Sequence, residues 1–312
     1  MDTIDFLKAR AEVFRIIRKF FLERNVLEVE TPLLAPATVT DPYIISMTTF
    51  FQERGSATCQ TLYLQTSPEY AMKRLLADGS GSIFQITKAF RQGDFGRYHN
   101  PEFTMLEWYR LGFDHHALMD EMDELLSLIL KTSPAERETV EAVYKKYVGI
   151  NPHTASVIEL ANSARQQGIA ISTDGSEDKN FWLDILFTQV IEKQLGKDKP
   201  FFLYDFPETQ AALAKVRVNE NPPLASRFEV YFKGIELANG FHELQDAVEQ
   251  RRRFERDLAV RQKNNIPLVS MDEDFLKALE KGLPDCAGVA LGLDRLIMLA
   301  SGHEDIHLMN LI

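Results

Sequence analysis

The chain has 312 residues, 45% of them hydrophobic and 26% charged, so it is long enough to bury a sizeable core and too apolar for an intrinsically disordered segment. A formal net charge of −11 argues against a broad nucleic-acid surface, which would need clustered Lys and Arg. Cys59 and Cys286 form no spaced framework, the N-terminus carries early acids in place of a secretory apolar core, and no apolar run approaches membrane-spanning length, so a reducing, cytoplasmic setting is expected. Residues 3–25 read as an amphipathic helix, because Ile4, Leu7, Ala11, Phe14, Ile17 and Phe21 recur at helical spacing. A strand over 26–34, ending in Thr31-Pro32, follows. Residues 35–58 read as loop with a short extended piece over 43–51, and 61–65 as a strand. Ser67-Pro68-Glu69 then opens a helix, with Ser67 as N-cap and Pro68 in the first position, which runs to Asp78 and stops at Gly79. Glu69 falls in its first turn, where the helix dipole favours a carboxylate.

The stretch from Phe90 to Tyr109, FRQGDFGRYHNPEFTMLEWY, packs Arg91, Arg97, His99, Asn100, Glu102, Glu107 and Tyr109 among large apolar residues. Residues 84–91 and 103–111 read as strands around a loop with Gly93, Gly96, Asn100 and Pro101, giving a long antiparallel hairpin whose open end carries Arg91, Arg97 and His99. Period-two alternation puts Phe103, Met105, Glu107 and Tyr109 on one face. Residues 115–130 read as a helix with His115 and His116 solvated at its start, and 133–198 as a motif-free, mostly helical insertion. Strands are expected over 200–206 and 227–233, where Phe228, Val230 and Phe232 alternate with Arg227, Glu229 and Tyr231. GIELANGFHEL, from Gly234 to Leu244, sets Glu236, Asn239 and Glu243 in apolar sequence before a charged helix over 245–263. On a regular strand Glu236 and Glu243 would face opposite sides, and Gly240 permits a bulge that would remove the conflict. The RRRFERD run, 251–257, reads as a solvated helix face. GVALGLDRLIML, from Gly288 to Leu299, is a glycine-bearing strand leading into a helix that begins with Arg295, and no phosphate-loop pattern occurs.

The helix with its strand and proline, the hairpin, and the last strand with its helix resemble motifs 1, 2 and 3 of the class II aminoacyl-tRNA synthetases, in that order. HNPEFTMLEWY is most similar to the lysyl branch. The resemblance implies an α+β fold, an antiparallel sheet flanked by helices, as one catalytic domain over 1–312 with a helical insertion around 133–198, no anticodon-binding domain and a homodimer built on motif 1. It implies ATP bound by Arg91, Gln92, Gly93, His99, Asn100, Phe103, Glu236, Leu237, Gly292 and Arg295. Of these, Arg91 and Arg295 are the catalytic residues, their guanidinium forks suited to phosphate. Substrate binding falls to Ser67, Pro68, Glu69, Tyr109, Asn239, Glu243 and Ala290, with Glu69 holding an amino group and Tyr109 with Glu243 receiving the ε-ammonium of lysine. Glu236 and Glu243 would hold Mg²⁺, a cation that takes oxygen ligands.

Two positions depart from the lysyl pattern. Gly93 stands where the family has a Glu that contacts ATP, and Ala290 stands where lysyl-tRNA synthetases have glycine. With that alanine and ELANGFHEL, the chain resembles the elongation factor P lysine ligases, which attach β-lysine to a lysine of that translation factor. The implied activity is ATP-dependent activation of (R)-β-lysine or lysine and transfer to elongation factor P, without tRNA and without a protein nucleophile. A truncated tRNA-charging enzyme and an inactive paralogue acting as a regulatory subunit are the other readings. Against the last, Arg91, Glu236, Glu243 and Arg295 are all present.

Overall fold

The amphipathic N-terminal stretch folds as its spacing predicts. In a computed structural model that describes residues 3–170 and 177–306, α1 spans Thr3–Leu22 and buries Phe6, Val13, Ile17, Phe20 and Phe21. Phe21 stacks on Phe84 with ring centroids 4.5 Å apart and meets Trp108 edge-on at 5.4 Å, two arrangements that aromatic rings favour. The single strand expected over 26–34 is broken. Only β1 (Leu27–Glu28) and β2 (Leu34–Ala35) pair, and they join different sheets. Pro32 lies between them, and a proline cannot donate to a ladder. β3 (Thr48–Gln52) and β4 (Cys59–Leu64) complete a small sheet in the order β2-β4-β3.

Helix α2 spans Glu69–Ala77, one residue shorter at its start than the Ser-Pro-Glu pattern suggests. Pro68 is the N-cap, and Ser67 lies before it with its Oγ accepting from the Glu69 N–H at 3.2 Å. The hairpin forms as β5 (Ile83–Phe90) and β6 (Glu102–Leu111), paired antiparallel along their whole length. The chain divides into two compact units, Met1–Gly112 with Gln245–Ile312, and Phe113–Leu244.

The second unit holds α3 (His115–Leu130), β7 (Glu136–Thr139), α4 (Val140–Val148), α5 (Val157–Gln166) and α6 (Lys179–Leu186), then β8 (Phe201–Pro207), β9 (Val216–Arg217), β10 (Leu224–Phe232) and β11 (Ile235–His242). Its strands run β11-β10-β8-β7, with β9 also on β10. Between α3 and β8 the described residues carry α4, α5 and α6 together with β7, which pairs parallel to β8. Leu160, Trp182, Leu186, Leu203, Phe206 and Tyr231 meet in one apolar cluster. The polar side of β10 is therefore buried, because Glu229 and Tyr231 are 8% and 2% exposed.

His115 also departs from expectation, being 2% exposed, with Nε2 3.3 Å from both Asp205 Oδ1 and Arg217 Nη1. It occupies the first position of the stripe continued by Leu118, Met119, Met122, Leu125 and Leu126, so helical spacing carries it inward. Burial holds its imidazole below the ordinary value, which keeps it neutral.

The chain then returns to the first unit through α7 (Ala247–Lys263), α8 (Glu273–Gly282), β12 (Cys286–Gly292) and α9 (Leu293–Ala300). Arg252, Arg253 and Arg256 of α7 gather around Glu249; Arg252 and Arg256 are exposed, as a solvated charged face would be, whereas the Arg253 side chain is only 13% exposed. The sheet of this unit runs β1-β5-β6-β12 and is mixed rather than wholly antiparallel, since β1 pairs parallel to β5. No helix among the described residues is long and apolar enough to cross a membrane.

Asp294, 4% exposed at the start of α9, joins three elements of this unit. It accepts from Arg10 Nη1 on α1 at 2.6 Å and from the Thr104 N–H on β6 at 2.7 Å, while Arg10 Nη2 donates to Thr104 Oγ1 at 2.6 Å. We predict that Asp294→Ala lowers the unfolding free energy by about 3 kcal/mol, the scale on which a buried ion pair loses one partner. Urea denaturation measures it, and a loss of less than about 1 kcal/mol would remove Asp294 from this role.

Candidate active site

The hairpin register fixes one row of side chains. Glu107 on β6 stands directly opposite Gln85 on β5 and Ala290 on β12, and Tyr109 stands opposite Ile83 and Gly288. The Tyr109 hydroxyl donates to Glu107 Oε1 at 2.6 Å, so the two share the face that their period predicts. Both are buried, at 2% exposure each. Gln85 is equally buried; its Oε1 accepts from Thr31 Oγ1 at 3.0 Å, and its Nε2 has no partner among the described residues. β12 carries glycine at 288 and 292 in this row, so Ala290 puts the only β12 methyl of that row beside Glu107.

At the open end, the Arg91 guanidinium lies 5.1 Å from the Phe103 ring centroid. Its backbone N–H donates to the Pro101 carbonyl at 2.9 Å, and that of Gln92 to the Ile45 carbonyl at 2.8 Å. Residues 40–44 are themselves pinned by Arg261, 2% exposed, which donates to the carbonyls of Thr40, Asp41, Ile44 and Pro267. Gly93 has φ +88°, a conformation L side chains rarely adopt, so the loop path here suits glycine and not the Glu of the lysyl pattern. Asn100 is buried with Nδ2 unpartnered among the described residues. Arg97 is turned elsewhere, to Glu304 at 2.9 Å.

Arg295 donates through Nε to the Tyr98 carbonyl at 3.0 Å and through Nη2 to His99 Nε2 at 2.7 Å. A guanidinium can only donate, so His99 Nε2 holds a lone pair and the ring is neutral. Partial desolvation and the Arg295 charge both lower its pKa, in keeping with that assignment. Glu69 meets Lys73 of the next helical turn, Nζ to Oε1 at 2.6 Å, and Lys73 is 1% exposed.

In the second unit the strand pairing settles where Glu236 and Glu243 face. Val230 pairs with Ala238 and Tyr231 with Glu236, so Leu237 is an extra residue in β11. The bulge is at Leu237 and not at Gly240. It shifts the alternation by one, which puts Glu236, Asn239 and Phe241 on one face together with Arg227, Glu229 and Tyr231 of β10. Glu243, extended and bridged to Ala214, continues that alternation. On this face Tyr231 donates to Glu229 Oε2 at 2.5 Å, and Arg227 donates to Glu229 Oε1 and, at 3.1 Å, to Asn239 Oδ1.

The sequence model of class II tRNA synthetases (D, K and N) matches residues 2–311. The chain belongs to this family. It is 53% identical over 304 residues to the elongation factor P (R)-β-lysine ligase of Vibrio cholerae, covering 97% of this chain and 94% of the relative. The ligases of the same name from Haemophilus influenzae and Yersinia enterocolitica are 51% identical over 306 residues and 49% over 300, covering 98% and 96% of this chain and 94% and 92% of theirs.

Four residues of this class II protein were not assigned from its motifs: Glu107, Lys73, Arg227 and Glu229. Glu107 was legible, since it sits two places before Tyr109 on a strand of period two. Lys73 lies one helical turn after Glu69, a spacing that pairs a carboxylate with an ammonium. Arg227 and Glu229 gave no such signal, because only the Leu237 bulge puts them beside Glu236 and Asn239.

Proposed function

We propose that this chain activates (R)-β-lysine with ATP and joins it to the ε-amine of a lysine of elongation factor P. The observation that carries this reading is similarity over 97% of the chain, at 53% identity, to a ligase named for that reaction. Adenylate formation comes first: a carboxylate oxygen of the amino acid attacks the α-phosphorus of ATP, the bond to pyrophosphate breaks, and pyrophosphate leaves. In the second step the neutral ε-amine of the acceptor attacks the activated carbonyl, AMP departs and the amine releases a proton.

In this reading Arg91 stabilises charge on the α-phosphate as the attack proceeds, a role that needs a donor already in place. Its neighbour Gln92 is tied by a backbone hydrogen bond, which supports such preorganisation. Arg295 serves the γ-phosphate, with its Nε fixed on the Tyr98 carbonyl and His99 as the group that yields its place. Glu107, Tyr109 and Glu243 receive the ε-ammonium. All three are nearly sealed from solvent, where a carboxylate gains most from a cation brought to it. Glu69 holds the second amino group, sharing its carboxylate with Lys73. ATP is consumed and is a substrate. Mg²⁺ is the implied cofactor; Glu236 offers it a hard oxygen donor, but Glu243, farther along the same extended segment by about 20 Å, does not fit as a second ligand of the same ion. When bound, it would offset phosphate charge.

A homodimer belongs to the same reading. Leu22, Leu27 and Leu34 of α1, β1 and β2 and Phe50 of β3 are 75%, 55%, 45% and 75% exposed, an apolar set suited to burial against a second copy. Sedimentation at twice the chain mass is expected, and a monomer at micromolar concentration would refute it. A cytoplasmic location follows from the acceptor, and the two free cysteines, one exposed and one buried, suit a reducing compartment.

The decisive experiment is mass spectrometry of elongation factor P after incubation with the protein, ATP and (R)-β-lysine. One added β-lysyl group is expected, and tRNA charging with no change in elongation factor P would favour the tRNA-charging reading instead. Arg91→Ala should cut ATP–pyrophosphate exchange by about a hundredfold or more, near 3 kcal/mol, with the fold intact. Wild-type exchange in that variant would remove Arg91 from the site.

Ala290 gives a separate prediction. Its methyl stands opposite Glu107, and a β-amino acid carries its amine one carbon farther from the carboxylate than an α-amino acid does. The two isomers must therefore thread this row differently, and one carbon in a tight site is worth about 1–3 kcal/mol of discrimination. Ala290→Gly should raise kcat/KM for α-lysine relative to β-lysine, and an unchanged ratio would mean that the methyl does not set the preference.

A further inference from the structure

We propose that Arg227 is a positioning residue that turns the Asn239 amide so that its NH₂ group faces the carboxylate of the amino-acid substrate. The inference rests on the reading of Asn239 as a substrate ligand and adds which atom it presents, to what, and what holds it there.

All three nitrogens of Arg227 are committed. Nε donates to Asn239 Oδ1 at 3.1 Å, Nη1 to the backbone carbonyl of Gln210 at 2.7 Å, and Nη2 to Glu229 Oε1. The guanidinium also lies 4.5 Å from the Phe206 ring centroid and 6.0 Å from that of Phe241. A planar fork anchored at three points and laid against aromatic faces has no freedom to rotate. Glu229 cannot draw it away, because its second oxygen is already taken by the Tyr231 hydroxyl at 2.5 Å.

The chemistry of the fork settles the orientation of the amide. Oxygen and nitrogen of an Asn side chain are told apart by their partners, and arginine has no acceptor to offer. Oδ1 must therefore face Nε. The Asn239 Nδ2 is turned away from Arg227 and has no hydrogen-bond partner among the described residues, although the residue is half-buried. Two free N–H donors select an acceptor, which excludes both ammonium groups of a diamino acid and leaves its carboxylate or an ATP phosphate. On this face Asn239 lies between Glu236 and Glu243, whose charges suit cations. A neutral donor between two carboxylates provides for the one anionic group of the amino acid.

The test compares β-lysine with the diamine left when its carboxylate is removed. Binding of both ligands, and the KM for ATP, would be measured for the full-length wild type, Arg227→Lys and Asn239→Asp. Wild-type protein that binds neither lysine isomer would sink the functional reading itself, independently of Arg227. Given wild-type binding, Arg227→Lys keeps the charge near Glu229 and loses the fork, so it should weaken β-lysine about tenfold, the scale of one hydrogen bond to a charged group, and leave the diamine within about twofold. Asn239→Asp replaces donors by acceptors and should weaken β-lysine at least as much, again sparing the diamine. Equal weakening of both ligands would mean a merely structural Arg227 and overturn the proposal. So would a raised KM for ATP with β-lysine unaffected, which would assign the amide to a phosphate, and so would unchanged binding.

Discussion

One buried carboxylate organises the first unit. Asp294 takes a guanidinium from α1 and a backbone N–H from β6 while standing at the head of α9, immediately before Arg295. A charge that far from water is tolerable only when fully partnered, so the three elements that partner it are fixed to one another. The position of Arg295 is a by-product of that constraint. Its side chain leaves the helix one residue later, and its direction is set before any ligand is bound.

The same economy recurs at three other charged side chains of the candidate site. Glu69 has Lys73, Glu229 has Arg227 and Tyr231, Arg295 has His99 and the Tyr98 carbonyl. Each of these three side chains meets an internal hydrogen-bond partner. Such a site loses little freedom when substrate arrives, and preorganised donors are what transition-state stabilisation requires.

Periodicity made much of this visible in the chain alone. The hairpin, the face shared by Glu107 and Tyr109, the helix α3 and the glycine-bearing strand before Arg295 all follow from spacings of two and of about 3.6 residues. What escaped was of two kinds. Local breaks, such as the lost strand around Pro32 and the N-cap at Pro68 in place of Ser67, depend on single hydrogen bonds that pattern cannot resolve. Tertiary burial was the other: His115 reads as a polar residue at a helix start, yet it completes an apolar stripe and finds Asp205 and Arg217. The lysyl-type Glu replaced by Gly93 was legible as a difference, whereas its cause, a positive φ, was not.

The extra residue at Leu237 has a consequence for how this strand can vary. Glu236 and Glu243 are an odd number of positions apart, and the bulge makes that odd spacing behave as an even one. Leu237 could exchange its side chain for another apolar one with little effect on the ladder, and deleting it would remove the bulge yet leave Glu236, Asn239 and Glu243 on one face, because they would then stand an even number of positions apart on a regular strand. What the shared face cannot absorb is one further residue in this segment, which would need a bulge of its own to keep Glu236 beside Asn239.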